Sequence, residues 1–342
     1  MIKKFSKEIE YCTFCPKMCR FVCPACEATG DEARTPTFRA YVLYRILNKK
    51  TDMAPDIRKT IYSCVLCRAC KTVCAHGIDV SSYTPFGRAQ LNKDGLADEG
   101  GKRVLDRFLK HGNPYEIDFK DSLVTDTVFF PGCKYLGFYR KTVERGEELL
   151  RYVGVKFSRM EKCCGFPLYS MGYIEEFEEH IKKLKKELKK VREIITACPT
   201  CEWFIREFVG FTNTRDLISI IAKGNPPVKN RQTKSFYYHD PCYRVRFLEK
   251  GDDIRESLSL VLENPPHEFL FSKENTFCCG GGVIEFVDPV MVKNITKMRL
   301  RELKEGDSVI TSCPGCRKNF ENAGADVYDI IDLFYEGVKG GK

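Results

Sequence analysis

One cysteine pattern occurs twice in this chain, and it limits the fold more than any other feature. Cys133, the doublet Cys163–Cys164 and the pair Cys198-x2-Cys201 are followed by Cys242, the doublet Cys278–Cys279 and the pair Cys313-x2-Cys316. Thirty-four positions separate Cys164 from Cys198, and thirty-four separate Cys279 from Cys313. The surroundings repeat too: VFFPGC matches FYYHDPC, KCCGFP matches FCCGGG, and EIITACPTC matches SVITSCPGC. Coincidence at so many points is negligible, so one structural unit is duplicated.

Each unit reads as a small α/β layer. Apolar runs of strand length at 127–130, 193–196, 235–238 and 308–311 lead into a cysteine, and helical patterning follows in CEWFIREFVG and CRKNFENAG. Pro199 and Pro314 stand where a helix starts, which aims free backbone N–H groups at thiolates or sulfides. Gly165 and Gly280, after the doublets, would let the backbone approach a cluster with no Cβ in the way. The run Gly280 to Gly282 is not followed by the Lys-Ser/Thr of a phosphate-binding loop. Between doublet and pair of the first unit, Phe177, Ile181, Leu184, Leu188 and Val191 form one apolar stripe. Glu precedes Lys along that segment, which predicts a surface helix packed on the sheet.

Nine further cysteines lie ahead of the repeat, in the groups Cys12-x2-Cys15-x3-Cys19-x3-Cys23-Pro24, with Cys26 close by, and Cys64-x2-Cys67-x2-Cys70-x3-Cys74. The second group has the spacing of bacterial ferredoxins, in which three thiolates grip one cubane and the fourth reaches the other. On that logic Cys12, Cys15, Cys19 and Cys74 hold one [4Fe–4S] cluster, while Cys64, Cys67, Cys70 and Cys23 hold a second. Cys26 is left over. A zinc knuckle of Cys12, Cys15, Cys23 and Cys26 is the rival, but it idles Cys19 and leaves the second group one ligand short. The stretch between Cys26 and Cys64 is too long for a compact ferredoxin hairpin core. It carries helical patterns from Phe38 and in APDIRKTIYSC, and a third occupies 101–111 before the break Gly112-Asn113-Pro114. The expected architecture is therefore multidomain: an α-helical ferredoxin over 1–120, then two duplicated α/β units over 121–232 and 233–342.

The 342 residues suffice for two or three domains. With no membrane-spanning apolar run and no signal-peptide pattern, a cytoplasmic protein is expected, in which nineteen cysteines point to metal rather than disulfides. Fifty-six Lys and Arg against forty-seven Asp and Glu give +9, yet no basic arm or recognition motif supports a nucleic-acid partner. Cluster thiolates add negative charge that this count omits. Lys17, Arg20, Arg68 and Lys71, set among the cysteines with no acid between, read as its counter-charge. No flavin or nicotinamide fingerprint is present, so any flavin belongs to a partner.

Taken together, these motifs resemble the CCG motif family. Two copies behind a two-cluster helical ferredoxin are similar to the D subunit of heterodisulfide reductase and to the iron–sulfur subunits of glycolate oxidase, lactate-utilisation and anaerobic glycerol-3-phosphate dehydrogenase systems. The resemblance implies a noncubane [4Fe–4S] cluster on Cys133, Cys163, Cys164, Cys198 and Cys201, and another on Cys242, Cys278, Cys279, Cys313 and Cys316. Both sets are complete, whereas relatives that only carry electrons often lack members. Two departures touch the first cubane: Ala75, not Pro, follows Cys74, and the third cysteine of the first group is displaced by one.

The implied function is an iron–sulfur oxidoreductase subunit that passes electrons from two cubane clusters to noncubane clusters for disulfide or thiol reduction. The alternative is an electron relay for an FAD-linked hydroxy acid or glycerol-3-phosphate dehydrogenase feeding a quinone or membrane partner. The implied partner is a flavoprotein or a membrane cytochrome or quinone-reactive subunit, through which the chain is peripheral on a membrane. For disulfide reduction, His239 beside Cys242 would deliver a proton to a thiolate leaving group, with Tyr243 near, and Arg244 and Arg246 would meet an anionic substrate. The weightier alternative is that His239 is an ordinary strand-end residue and that the arginines balance cluster charge. His76 is expected to be a loop residue over a cubane, and Trp203 a core residue.

Overall fold

The computed structural model describes residues 2–50, 55–120 and 124–340. As far as His111 the described elements are all helical. Helix Pro36–Leu47 starts on Thr35, whose side chain accepts a hydrogen bond from the Phe38 amide, and has proline in its first turn. It packs along Ser6–Thr13, the helix that carries Cys12. Helix Pro55–Tyr62 leads into Ser63 and Cys64, while Ala54 of the same sequence pattern lies outside the described residues. Helix Glu99–His111 ends at Gly112, whose φ of 69° is the left-handed stop read from the sequence. The expected boundary between 120 and 121 adjoins residues 121–123, which lie outside the described residues.

Two four-stranded sheets follow. The first contains β1 (Thr127–Phe130), β2 (Ser158–Arg159), β3 (Glu193–Thr196) and β4 (Thr214–Asp216) in the order β2-β1-β3-β4. The second contains β5 (Phe236–His239), β6 (His267–Glu268), β7 (Ser308–Thr311) and β8 (Val327–Asp329) in the order β6-β5-β7-β8. Every pairing is parallel, and the shared order is what a duplicated unit requires. Strand β5 runs one residue beyond the apolar pattern because His239 pairs with Thr311 of β7. The two central strands of each sheet run into Cys133 and Cys198, and into Cys242 and Cys313. The cysteines therefore collect at the carboxyl ends of parallel strands, where open α/β sheets form their crevice.

The amphipathic segment forms helix Ile174–Glu187 with a short extension, Leu188–Lys190, and the five stripe residues are all buried. Helices Pro199–Phe204 and Pro314–Asn322 take Cys198 and Cys313 as N-caps with proline in the first turn, as their sequences predict. Tyr135 of the first unit donates to Asp329 Oδ2 of the second at 2.7 Å, and Arg244 of the second donates to Asp216 Oδ2 of the first at 3.1 Å. The helical part is seated across both units. Asn92 donates to the Met171 carbonyl of the first at 3.0 Å. Toward the second, Arg34 pairs with Asp288 at 2.9 Å, and a Cβ on Gly100 would sit 1.8 Å from the Phe286 carbonyl oxygen, so this helix approaches only because it carries glycine. No helix among the described residues is long and apolar enough to cross a membrane.

Candidate metal centres

All nineteen cysteines are free thiols, and seventeen of them line three cavities. The first cavity, about 570 Å³, is lined by Cys12, Cys15, Cys19, Cys70 and Cys74, with Met18, Val73 and His76 at its edge. The second, about 310 Å³, is lined by Cys23, Cys64, Cys67 and Cys70, with Arg39. The third, about 760 Å³, is lined by nine of the ten repeat cysteines. Cys163 stands just behind it, its Sγ 3.4 Å from that of Cys133. Cys26 lines none of the three.

These residues fit iron–sulfur clusters on the chemistry of the donor set. Burial pushes the Cys12 thiol up to about 12 and that of Cys26 up to about 11, so such sulfurs become thiolates only where cations compensate them. Conversely, Arg39 and Arg88 are fully buried and pair with no carboxylate among the described residues. Arg39 reaches Cys23 Sγ at 3.7 and 3.9 Å and Ser63 Oγ at 2.9 Å. Arg88 donates to the carbonyl oxygens of Cys64 at 2.5 Å and Ser170 at 2.6 Å. A buried cation without an anion costs several kcal/mol, and a net-negative cluster in the second cavity would supply the anion. This revises the expected counter-charges. Arg20 pairs with Glu32 at 2.5 Å, Arg68 with Asp79 at 2.7 Å, and Lys17 and Lys71 are exposed.

The two repeat sets do not form separate pockets but converge on the third cavity. Cys198 and Cys313, the leading cysteines of the C-P-x-C pairs, touch across the join. In the second unit Cys279 Sγ lies 3.2 Å from Cys316 Sγ, and Cys278 touches both Cys242 and Cys67 of the helical part. The Cys201 and Cys316 amides donate to the Cys198 and Cys313 sulfurs, the backbone donation that the prolines predict. Two glycines shape this cavity: a Cβ on Gly132 would meet Cys201 Sγ at 2.7 Å, and one on Gly282 would meet the Val65 carbonyl at 2.9 Å.

Several sequence expectations are corrected here. A Cβ on Gly165 would face Phe177 and His180, and one on Gly280 would face Val292 and Ile295, so both serve left-handed turns and helix packing rather than clearance for a cluster. Pro314 lines the cavity, whereas Pro199 opens its helix from outside the lining. Arg244 is fully buried on Asp216 and joins the two units, so it meets no substrate. Arg246 is equally committed, donating to the carbonyls of Cys67 and Glu274, each at 2.8 Å, and to that of Thr276. His239 is fully buried and outside the cavity lining, so it stands behind the second set rather than beside a leaving group. Neither of its ring nitrogens has an oxygen or nitrogen partner, and the polar atom within reach is the Cys279 sulfur; an unpaired buried N–H costs about 1–3 kcal/mol. Trp203 packs among Phe204, Phe208, Tyr243 and Phe247, and His76 stacks on Tyr11 at 5.6 Å.

Sequence reasoning missed Lys134 and Tyr115. Among the described residues Lys134 is the only cationic side chain lining the third cavity; it pairs with Glu285 at 2.7 Å and lies over the Tyr115 ring at 5.4 Å. Its position next to Cys133, matched by Tyr243 after Cys242, was the available signal.

Paired α/β units whose cysteines converge at one end, joined to a helical domain with two further cysteine cavities, define an iron–sulfur electron-transfer protein. A cysteine-rich domain model of the CCG type matches residues 127–206 and 236–321, and a 4Fe-4S dicluster domain model matches residues 8–78. The chain is a CCG-domain iron–sulfur protein. It is 25% identical to the D subunit of the dihydromethanophenazine:CoB–CoM heterodisulfide reductase of Methanosarcina mazei, over 97% of this chain and 94% of that one. It is 22% identical to the B subunit of the fumarate reductase (CoM/CoB) of Methanothermobacter marburgensis, over 93% of this chain and 68% of that one. Lactate utilization protein A of a Geobacillus species is 22% identical over 56% of this chain and 88% of its own length.

Proposed function

We propose that this chain is the disulfide-reducing subunit of a reductase related to heterodisulfide reductase, with two cubane clusters in the helical domain and two noncubane clusters at the third cavity. The observation that carries this reading is the convergence of both complete cysteine sets on one largely apolar cavity between the two units. The overall change is RSSR′ + 2 e⁻ + 2 H⁺ → RSH + R′SH. When bound, the clusters would supply the electrons and iron able to take sulfur. The chain itself excludes water with Val65, Phe166 and Val283 and shapes the space with its glycines. It offers Lys134 as a cation to orient an anionic substituent. Two cubanes would lie on Cys12, Cys15, Cys19 and Cys74 and on Cys23, Cys64, Cys67 and Cys70, in line with the first two cavities.

Electrons would enter at the first cavity from a separate redox subunit, a flavoprotein or a membrane cytochrome. Its mouth supports this entry point. Met18 lines it and Tyr11 stacks on its lining residue His76; these two, with Phe14 and Phe21 close by in sequence, are each more than 60% exposed, and Lys17 and Lys71, next in sequence to lining residues, have no carboxylate partner among the described residues. An apolar centre with basic rim residues suits a protein face with acidic groups at its edge.

The test is reduction of 3,3′-dithiodipropionate by the reconstituted protein with a reduced viologen as donor. The reading expects one disulfide cleaved per two electrons consumed. No cleavage by fully loaded protein that still passes electrons onward would assign the chain to the relay role.

A further inference from the structure

The two CCG units are duplicates in sequence and strand order, yet the positions around their doublet cysteines differ in a consistent direction. Phe130 pairs with Thr196 across β1 and β3, and His239 pairs with Thr311 across β5 and β7, so His239 occupies in the second unit the place of Phe130 in the first. Three residues after the last cysteine of each pair, the first unit has Phe204 and the second has Asn319. Both positions are therefore phenyl rings in the first unit and hydrogen-bond donors in the second.

The donors converge on one sulfur. A ring nitrogen of His239 and the Sγ atoms of Cys279 and Cys316 lie within 4.8 Å of one another. Asn319 Nδ2 donates to the Cys279 carbonyl at 3.1 Å and lies 3.8 Å from Cys279 Sγ. The imidazole is held edge-to-face by Phe320 at 4.8 Å and Phe269 at 6.3 Å, neither of which accepts its N–H in a conventional bond. The imidazole is fully buried with no oxygen or nitrogen partner, and the Cys279 sulfur is the acceptor within its reach. The nearest histidine of the first unit, His180, is already engaged with the Cys163 carbonyl at 2.7 Å.

We infer that His239 and Asn319 are positioning residues that donate N–H groups to the sulfur ligands of the second unit, making its cluster the more easily reduced of the two. Hydrogen bonds to cluster sulfur stabilise the more negative, reduced state and so raise the potential. The apolar surroundings of Phe130 and Phe204 leave the first unit lower. The inference rests on the proposed presence of clusters at both units but not on disulfide chemistry. It also agrees with the entry point, because a cysteine of the helical domain, Cys67, touches Cys278 of the second doublet.

The experiment is a redox titration of reconstituted protein followed by electron paramagnetic resonance, with the second-unit signal identified by its loss in Cys279→Ser. His239→Phe, and more so His239→Phe with Asn319→Leu, should keep full iron content and move only that midpoint to more negative values. His239→Gln, which keeps a donor, should restore part of the shift. In wild-type protein, pulsed measurements should find a weak nitrogen coupling on the second-unit signal. Unmoved midpoints at full iron content would overturn the inference. So would loss of about four irons in both His239→Phe and His239→Gln, or a wild-type nitrogen coupling as strong as direct iron ligation, since either makes His239 a ligand. The wild-type coupling decides the matter even where a variant fails to fold.

Discussion

Cys67 of the helical domain and Cys278 of the second doublet meet side chain to side chain. The contact is held by Arg246, which ties the Cys67 carbonyl to those of Glu274 and Thr276. Arg246→Met leaves buried carbonyls without donors, so the protein should lose about 3 kcal/mol of stability. Iron content should be retained. Stopped-flow reduction should show the helical-domain clusters reduced at the wild-type rate and onward transfer slowed at least about tenfold, an added barrier of about 1.4 kcal/mol.

Anaerobically reconstituted protein should hold about sixteen irons, from four clusters of four. Cys26 lines no cavity, so Cys26→Ala should keep them all, whereas Cys23→Ala should lose about four. Iron and sulfide assays check this. Saturation near eight irons contradicts clusters at the third cavity, and stoichiometric zinc favours the knuckle.

Lys134 should set preference among disulfides. In the variant Lys134→Met with Glu285→Gln, which removes both partners of the pair, kcat/KM for an anionic disulfide such as 3,3′-dithiodipropionate should fall about tenfold, about 1.4 kcal/mol. That for 2-hydroxyethyl disulfide should change little. Equal losses on both would place Lys134 in the framework of the cavity wall instead.

Exposed apolar residues at the first cavity should matter to a protein donor and not to a small one. Phe14→Ser with Met18→Ser should slow reduction by the cognate partner protein at least about tenfold and leave reduction by dithionite unchanged. Comparable rates with both donors would remove this surface from the entry route.

Much of the fold was legible because its signals are local. Strand runs ending in cysteine, proline after cysteine, and the stripe from Phe177 to Val191 each depend on neighbours in sequence. Strand β5 was read one residue early because His239 ends an apolar run with a polar side chain. The meeting of both cysteine sets in one cavity was not legible, since the packing of unit on unit depends on ties such as Arg244–Asp216 and Tyr135–Asp329. The buried counter-charge was hidden for the same reason: Arg39 and Arg88 lie outside the cysteine clusters in sequence and reach them only in the fold. The close approach to the cavity is made at Gly132 and Gly282 and not at Gly165 and Gly280, because spacing from a doublet does not tell which side of a turn faces the cavity.

The central claim, that substrate sulfur is handled at the third cavity, is tested most directly by adding a small thiol to the oxidised, fully loaded protein and recording its paramagnetic spectrum. The account predicts a changed signal from that cavity, abolished in Cys278→Ser or Cys279→Ser. An unchanged spectrum with each of several thiols, with all four clusters present, would contradict it and leave the chain a relay.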